Sequence, residues 1–171
     1  PAMIDYAYAA AEAVNPGHTK IGRVASGDQF VAVKELKEKI NLAEGRCAAN
    51  VYFHIGATNS NHHDLAYMAR YGCPEEGIRP EDIAGIKVFM GSSTGNMLVN
   101  DSESLKELFS IREKPILVHC EDEDTIRKNL EAAKARYGDE IPFSEHRNIR
   151  SRMACIRSTI KALELAIEHQ T

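Results

Sequence analysis

Short apolar runs alternate along the chain with segments in which apolar residues recur at helical spacing. Three runs are rich in strand-forming residues and predict strands over residues 48–57, 84–90 and 114–119. Residues 1–8 could form a further short strand. The three clear runs are continuously apolar rather than alternating, which is typical of parallel strands covered on both faces.

Apolar residues at helical spacing fill the intervals between these strands. The predicted helices span residues 29–43, 62–70, 101–109, 122–137 and 144–169, with a shorter Ala-rich segment at 9–14. Gly138 stands where a residue with positive φ favourably ends a helix. The longest helix carries one apolar face, formed by Ile149, Met153, Ile156, Ile160, Leu163 and Ile167.

The alternation of strands and helices predicts an α/β protein built from βαβ units with a parallel sheet. A chain of 171 residues has the length of one domain. In parallel α/β folds the chemistry lies at the carboxyl ends of the strands. We therefore expect a single domain over residues 1–171, with its functional residues where strands end.

Composition and charge exclude several classes of partner. The formal net charge is −4, so no basic surface is expected to attract nucleic acid or an anionic membrane. No apolar run approaches the roughly 20 residues of a membrane-spanning helix, and the first residues lack the basic segment of a signal peptide. Four cysteines are widely spaced without a CxxC pair, which predicts free thiols and a cytoplasmic location.

Lys87 is an unexpected residue, because it lies inside the apolar run Gly85–Met90. A buried lysine loses hydration unless it is paired or neutral. It could reach solvent with its amine or pair with a carboxylate. It could instead have a lowered pKa and act as a base, form a Schiff base or carry a modification. A carbamate formed with carbon dioxide would turn the cation into an anionic ligand for metal ions.

His119 ends the apolar run KPILVH and could be a metal ligand, a general base or a histidine hydrogen-bonded at a strand end. Asp122, Glu123 and Asp124 are interpreted as the first turn of a solvated helix. Other histidines are assigned no chemistry: His54 is predicted to be packed in a strand, His62 and His63 to lie in a surface loop, and His146 and His169 to lie in helices. The loop GSSTGN after Lys87 lacks the spacing of a phosphate-binding loop.

Three separated blocks of the chain carry a family resemblance. In order they are GIKVFMGSSTGNMLVND, KPILVHCEDEDTIRKN and YGDEIPFSEHRNIRSRMACIRSTIKALELA, and RCAANVYFHIGATNSN is similar to a third-strand region. Together they resemble a dihydroorotase of the amidohydrolase superfamily, the type with a carboxylated lysine. The resemblance covers residues 45–171, whereas residues 1–44 match poorly.

The resemblance implies part of a TIM-type (β/α)8 barrel and a zinc-dependent cyclic amidase. Lys87 would be the catalytic, carboxylated lysine that bridges two zinc ions, with carbon dioxide held as the carbamate. His119 would be the zinc ligand at the end of the fifth strand. The substrates implied are dihydroorotate and N-carbamoyl-aspartate, interconverted in pyrimidine biosynthesis. An incomplete barrel would expose unpaired strand edges and apolar faces, so we expect the chain to self-associate as a homo-oligomer.

Some parts of the family pattern have no counterpart in this sequence. We expect residues 1–20 to correspond to the start of the barrel, yet they contain no His-x-His metal pair. A full barrel needs about 250 residues, so the sequence is expected to supply about four of the eight strands. The chain is therefore expected to be a fragment or a divergent relative. Two alternatives stay open: a related hydantoinase, dihydropyrimidinase or allantoinase, and a non-catalytic relative.

Overall fold

The computed structural model describes residues 2–5, 31–47, 50–91 and 97–171. Four strands lie in this part of the chain: β1 (Ala2–Asp5), β2 (Asn50–Gly56), β3 (Ile83–Phe89) and β4 (Ile116–His119). The helices are α1 (Val31–Ala43), α2 (His62–Tyr71), α3 (Ser102–Phe109), α4 (Glu123–Tyr137), α5 (His146–Ile149) and α6 (Arg152–His169). Short 3-10 turns occupy Pro74–Glu76, Pro80–Asp82 and Phe143–Glu145.

All four strands are parallel and follow one another in the sheet in chain order, β1-β2-β3-β4. Each strand is separated from the next by helical segments, as the alternating pattern predicts. Apart from the helix predicted over residues 144–169, the predicted strands and helices are confirmed where the structure describes them, to within a few residues at their ends. The helix predicted at residues 9–14 lies outside the described residues.

The main core lies between one face of the sheet and the helices. Ile86 and Val88 of β3 are fully buried on this face, and Ile55 of β2 pairs with Ile86 in the register. The helices supply the opposing apolar layer, which consists of Val33, Leu36, Leu65, Met68, Leu105, Leu108, Phe109, Ala162 and Leu165. Burial of this contiguous apolar layer provides the main drive for folding.

Two helix starts follow the capping pattern that the sequence suggests. Asp101 caps α3 by accepting a hydrogen bond from the backbone N–H of Ser104, and Asp122 caps α4 by accepting from that of Thr125. Hydrogen bonds that favour the charged form lower the pKa of both capping carboxyl groups: chiefly the Ser104 backbone N–H for Asp101, and chiefly the Thr125 hydroxyl for Asp122. Glu123 and Asp124 lie in the first turn of α4, so the interpretation of this acidic run is confirmed. Gly138 ends α4 with a φ of 65°, as predicted.

The prediction of a single helix over residues 144–169 is wrong in one respect. The segment forms two helices, α5 and α6, with a break at Arg150 and Ser151. Its apolar face is also not the buried one. The buried residues of α6 are Ala154, Ser158, Ala162 and Leu165. Most of the predicted stripe is at least half exposed in the described structure: Met153, Ile160, Leu163 and Ile167. Small side chains allow α6 to approach its neighbours closely, so its small-residue face packs inward. None of the described helices is long and apolar enough to cross a membrane.

Candidate active site

Lys87 lies on the sheet face opposite to the main core. Side chains alternate between faces along a strand, so Lys87 and Phe89 point away from the face of Ile86 and Val88. In the sheet register Lys87 stands between Gly56 of β2 and Leu117 of β4. The Lys87 ammonium nitrogen lies 4.9 Å from the centre of the Phe89 ring. Burial lowers the pKa of Lys87, and the nearby thiol of Cys120 opposes this only in part.

His119 ends β4 and shares a face with Lys87. It pairs with Phe89 in the register, two residues beyond the pairing of Lys87 with Leu117. From the usual strand spacing and rise, the Cα atoms of Lys87 and His119 are about 8 Å apart. The His119 and Phe89 ring centres are 6.0 Å apart. Lys87 and His119 therefore flank the same aromatic ring at the carboxyl ends of neighbouring strands.

Glu121 and Arg150 extend the site beyond these two residues. The Nε2 atom of His119 lies 3.0 Å from Oε2 of Glu121, and Nη1 of Arg150 donates to the same oxygen. Sequence reasoning left Glu121 without a role and did not consider Arg150. The sequence signal for Glu121 was its position two residues after a strand-end histidine. No spacing pattern links Arg150 to the site.

The loops after β2 and β3 are joined by a hydrogen-bonded network at the same end of the sheet. The side-chain amide of Asn59 donates to Asn100 Oδ1 at 3.0 Å, and its oxygen accepts from the backbone N–H of Asp101 at 3.1 Å. Asn61 is 2% exposed, and its amide donates to the carbonyl oxygen of Gly56 at 3.0 Å. These contacts give the strand ends around Lys87 a fixed loop framework. Residues 92–96 of the GSSTGN loop lie outside the described residues.

Among the residues that the structure describes, the other histidines do not join Lys87 and His119 in a cluster. His62 and His63 stand in the first turn of α2 rather than in a loop, with ring centres 4.3 Å apart. The prediction of a surface loop is wrong here, because the residues from His62 to Tyr71 form a regular helix. His54 is buried in β2, as predicted. All four cysteines are free thiols.

The metal that the resemblance implies can be tested against the donor atoms. A lysine with a lowered pKa provides more of the neutral amine that reacts with carbon dioxide, and an imidazole nitrogen is a common zinc ligand. Lys87 and His119 thus fit as two ligands. Among the described residues no group of three or more His, Cys, Asp or Glu side chains could hold a metal ion. Further ligands would have to come from outside the described part.

Comparison with known proteins gives structural matches but no family assignment. No protein-family model matches the chain. The structure is similar to the L-hydantoinase (dihydropyrimidinase) from Arthrobacter aurescens, with a TM-score of 0.64 and 21% sequence identity, over 80% of this chain and 29% of that chain. It is also similar to the dihydropyrimidinase from Brevibacillus agri NCHU1002, with a TM-score of 0.62 and 20% identity, over 85% and 30%.

These matches confirm the predicted fold class. The chain is an α/β protein whose parallel strands and helices form part of a TIM-type barrel, the architecture of these hydrolases. It spans less than a third of the length of either matched protein. Both names belong to the hydantoinase and dihydropyrimidinase alternative rather than to dihydroorotase.

Proposed function

We propose that this chain forms part of a metal-dependent cyclic-amide hydrolase. The observation that carries the proposal is the placement of Lys87 and His119 on one sheet face, at the ends of neighbouring strands and around the Phe89 ring. The opposite face holds the core, so a lysine here is not required for packing. The fold is that of two named hydantoinase-type hydrolases.

The proposed chemistry gives each residue a separate task. A zinc centre, when bound, would lower the pKa of a bound water and polarise the substrate carbonyl. Neutral Lys87 would add carbon dioxide through its amine nitrogen and release one proton, which produces a carbamate with two oxygen ligands. His119 would contribute one ring nitrogen. Burial of the Lys87 amine would favour its neutral form.

The order of the strands indicates whether residues 1–20 should contain the His-x-His pair that the resemblance implies. If the strand of His119 is the fifth of a barrel, counting back through adjacent strands makes β3 the fourth, β2 the third and β1 the second. The expectation that residues 1–20 correspond to the first strand then does not fit, because Ala2–Asp5 pairs directly with β2. A missing His-x-His pair in this segment is therefore no support for the non-catalytic alternative.

Two substrate classes remain candidates, and each has an observation in its favour. The sequence blocks around Lys87 and His119 resemble dihydroorotase, which supports dihydroorotate and N-carbamoyl-aspartate as substrates. The structural matches are a hydantoinase and a dihydropyrimidinase, which supports uncharged cyclic ureides equally well. The ring-opening reaction is the same in both, so the substrates differ mainly in the carboxylate of dihydroorotate.

The test measures hydrolysis of dihydroorotate, dihydrouracil and hydantoin by the full-length protein supplied with zinc and bicarbonate. Turnover of dihydroorotate alone would support dihydroorotase, and turnover of the uncharged rings alone would support the hydantoinase type. Lys87→Met should reduce either activity by at least about 1,000-fold, since it removes the amine that would form the carbamate ligand. The matched control is Lys114→Met, which changes a lysine before β4 and should leave the rate unchanged.

A second measurement examines Lys87 without relying on turnover. After incubation with ¹³C-bicarbonate, the wild-type protein should show a carbamate carbon signal by NMR that is absent from Lys87→Met. A folded, zinc-loaded protein with no carbamate signal and no activity on the three substrates would contradict the proposed function.

A further inference from the structure

We propose that Glu121, held in place by Arg150, is a positioning residue that orients the His119 ring and determines which ring nitrogen is available to a ligand. The inference rests on the proposed function only in naming a metal as that ligand. The hydrogen bonds that carry it belong to the chain itself. Neither Glu121 nor Arg150 is needed to explain the packing of the core, because neither belongs to it.

The side chains of His119, Glu121 and Arg150 form a continuous hydrogen-bonded chain, and they differ in solvent exposure. His119 is 44% exposed, Arg150 33% and Glu121 17%. One carboxylate oxygen, Oε2 of Glu121, meets both Nε2 of His119 and Nη1 of Arg150. A partly buried carboxylate with a guanidinium on the same oxygen is held more firmly than an exposed ion pair.

The backbone around Glu121 is also closely packed. A Cβ atom at Gly91 would lie 2.6 Å from the Cβ of Glu121 and 2.7 Å from its carbonyl oxygen, so only glycine fits there. The backbone N–H of Met90 donates to the carbonyl oxygen of His119 at 2.9 Å. The residues that follow the Lys87 strand therefore hold the His119–Glu121 segment from the side of β3.

The break between α5 and α6 places Arg150 at the site. Arg150 ends α5 with a φ of −87° and a ψ of 68°, which are not helical values, and Ser151 then caps α6. Asn129 of α4 stabilises the break, since its amide donates to the carbonyl oxygen of Ile149 at 3.1 Å and to Ser151 Oγ at 3.3 Å. A continuous helix would not have provided this anchored turn.

The hydrogen bond has a definite consequence for His119. In a neutral imidazole one nitrogen carries the proton and the other has a free lone pair. A carboxylate accepts a hydrogen bond and so holds the proton on Nε2 of His119. The lone pair is then on Nδ1, the nitrogen available to a metal ion. Carboxylates that bind the second nitrogen of a ligating histidine in this way orient the ring and make it a better ligand.

The first test determines the tautomer of His119 in the metal-free protein from ¹⁵N NMR of the labelled imidazole. Spectra are recorded over a pH series, and the tautomer is read at the pH values where the ring is neutral. We expect the Nε2–H form in the wild type and a loss of that preference in Glu121→Ala. Glu121→Gln should keep the Nε2–H form, because its amide oxygen can still accept the bond. A wild-type ring that is mainly in the Nδ1–H form would overturn the proposal.

The second test is zinc affinity of the full-length protein, measured with zinc alone by competition against a chelator. Glu121→Ala and Arg150→Met should weaken binding by about 10- to 100-fold, and Glu121→Gln should have a smaller effect. The matched control is Asp124→Asn, which removes an exposed ion pair with Arg127 (2.8 Å) in the same segment and should leave affinity unchanged.

The two tests separate this proposal from the proposed function. If the full-length protein binds no zinc, the proposed function fails, whereas the metal-free tautomer still decides the role of Glu121. If zinc binding and hydrolysis are intact but Glu121→Ala changes neither affinity nor tautomer, only the positioning role is refuted. Circular dichroism of each variant identifies loss of folding, and the wild-type tautomer needs no variant at all.

Discussion

The two faces of strand β3 differ in both burial and chemistry. Ile86 and Val88 are fully buried against the helices, whereas Lys87 and Phe89 are only partly buried on the opposite face. Adjacent residues of one strand thus serve different purposes, because a strand turns successive side chains to opposite sides. The helix-covered face therefore provides stability, and the other face is available for a site.

The same contrast extends to β4. Val118 lies on the face of Val88 but is 36% exposed, whereas Val88 is completely buried. Among the described residues β4 is the last strand of the sheet, so fewer side chains cover its helix-facing side than cover that of β3. His119, on the other face, is exposed at its side chain but tied to Glu121. The candidate site therefore extends from the buried strand β3 to the outer strand β4 of the described sheet.

Among truncations to alanine, the largest expected effect on stability comes from Ile86→Ala on the packed face. Removal of this fully buried side chain leaves a cavity and should lower the free energy of unfolding by about 2–5 kcal/mol. The matched control is Leu117→Ala, because Leu117 is only partly buried on the face of Lys87 and should cost less. Urea denaturation of both variants measures the difference, and equal costs would show that the two faces are packed alike.

A smaller effect is expected from Lys87→Met, and it should depend on pH. Folding lowers the pKa of Lys87 below its ordinary value of 10.5. The buried charge therefore reduces the free energy of unfolding fully at pH values below the lowered pKa, and no longer reduces it above 10.5. Between the two values the wild type should become more stable with rising pH relative to Lys87→Met. Urea midpoints measured across this range in carbon-dioxide-free buffer test the sign. A parallel pH dependence of the two proteins would show that Lys87 is not desolvated.

The smallest effect on folding is expected for Leu163→Glu, on the exposed apolar face of α6. Leu163 is 57% exposed, so its substitution should change stability by no more than about 0.5 kcal/mol. We propose that this face takes part in the self-association expected from the sequence, because exposed apolar patches favour association. Sedimentation should show a weaker association than for the wild type, and an unchanged distribution would remove this face from the interface. Leu165→Glu, on the buried face of the same helix, should instead unfold the chain.

Local patterns were sufficient for much of the fold. The apolar runs around Lys87 and before His119 identified two neighbouring strands, and the acidic residues at Asp101 and Asp122 marked helix starts. The position of Lys87 within a strand also indicated a lysine under desolvation, and burial indeed lowers its pKa. These predictions succeeded because strand periodicity and helix capping depend on residues close together in sequence.

Other features depended on residues far apart in the chain. Periodicity in α6 identified an apolar stripe but not which face would pack, and the small residues Ala154, Ser158 and Ala162 proved to be the buried ones. The helix break at Arg150 had no proline or glycine to announce it. Its explanation lies in Asn129, which is 20 residues away from Ile149, the residue whose carbonyl it binds.

The sequence by itself determined an α/β chain with strand-end candidates at Lys87 and His119, since these follow from local residue patterns. Only the tertiary structure decided that both face Phe89, that Glu121 and Arg150 join His119, and that β1 lies directly beside β2. The physical reason is that strand order, register and long-range hydrogen bonds are fixed by packing between distant segments. Arg150 and Glu121 are 29 residues apart, and only the fold brings them onto one carboxylate oxygen.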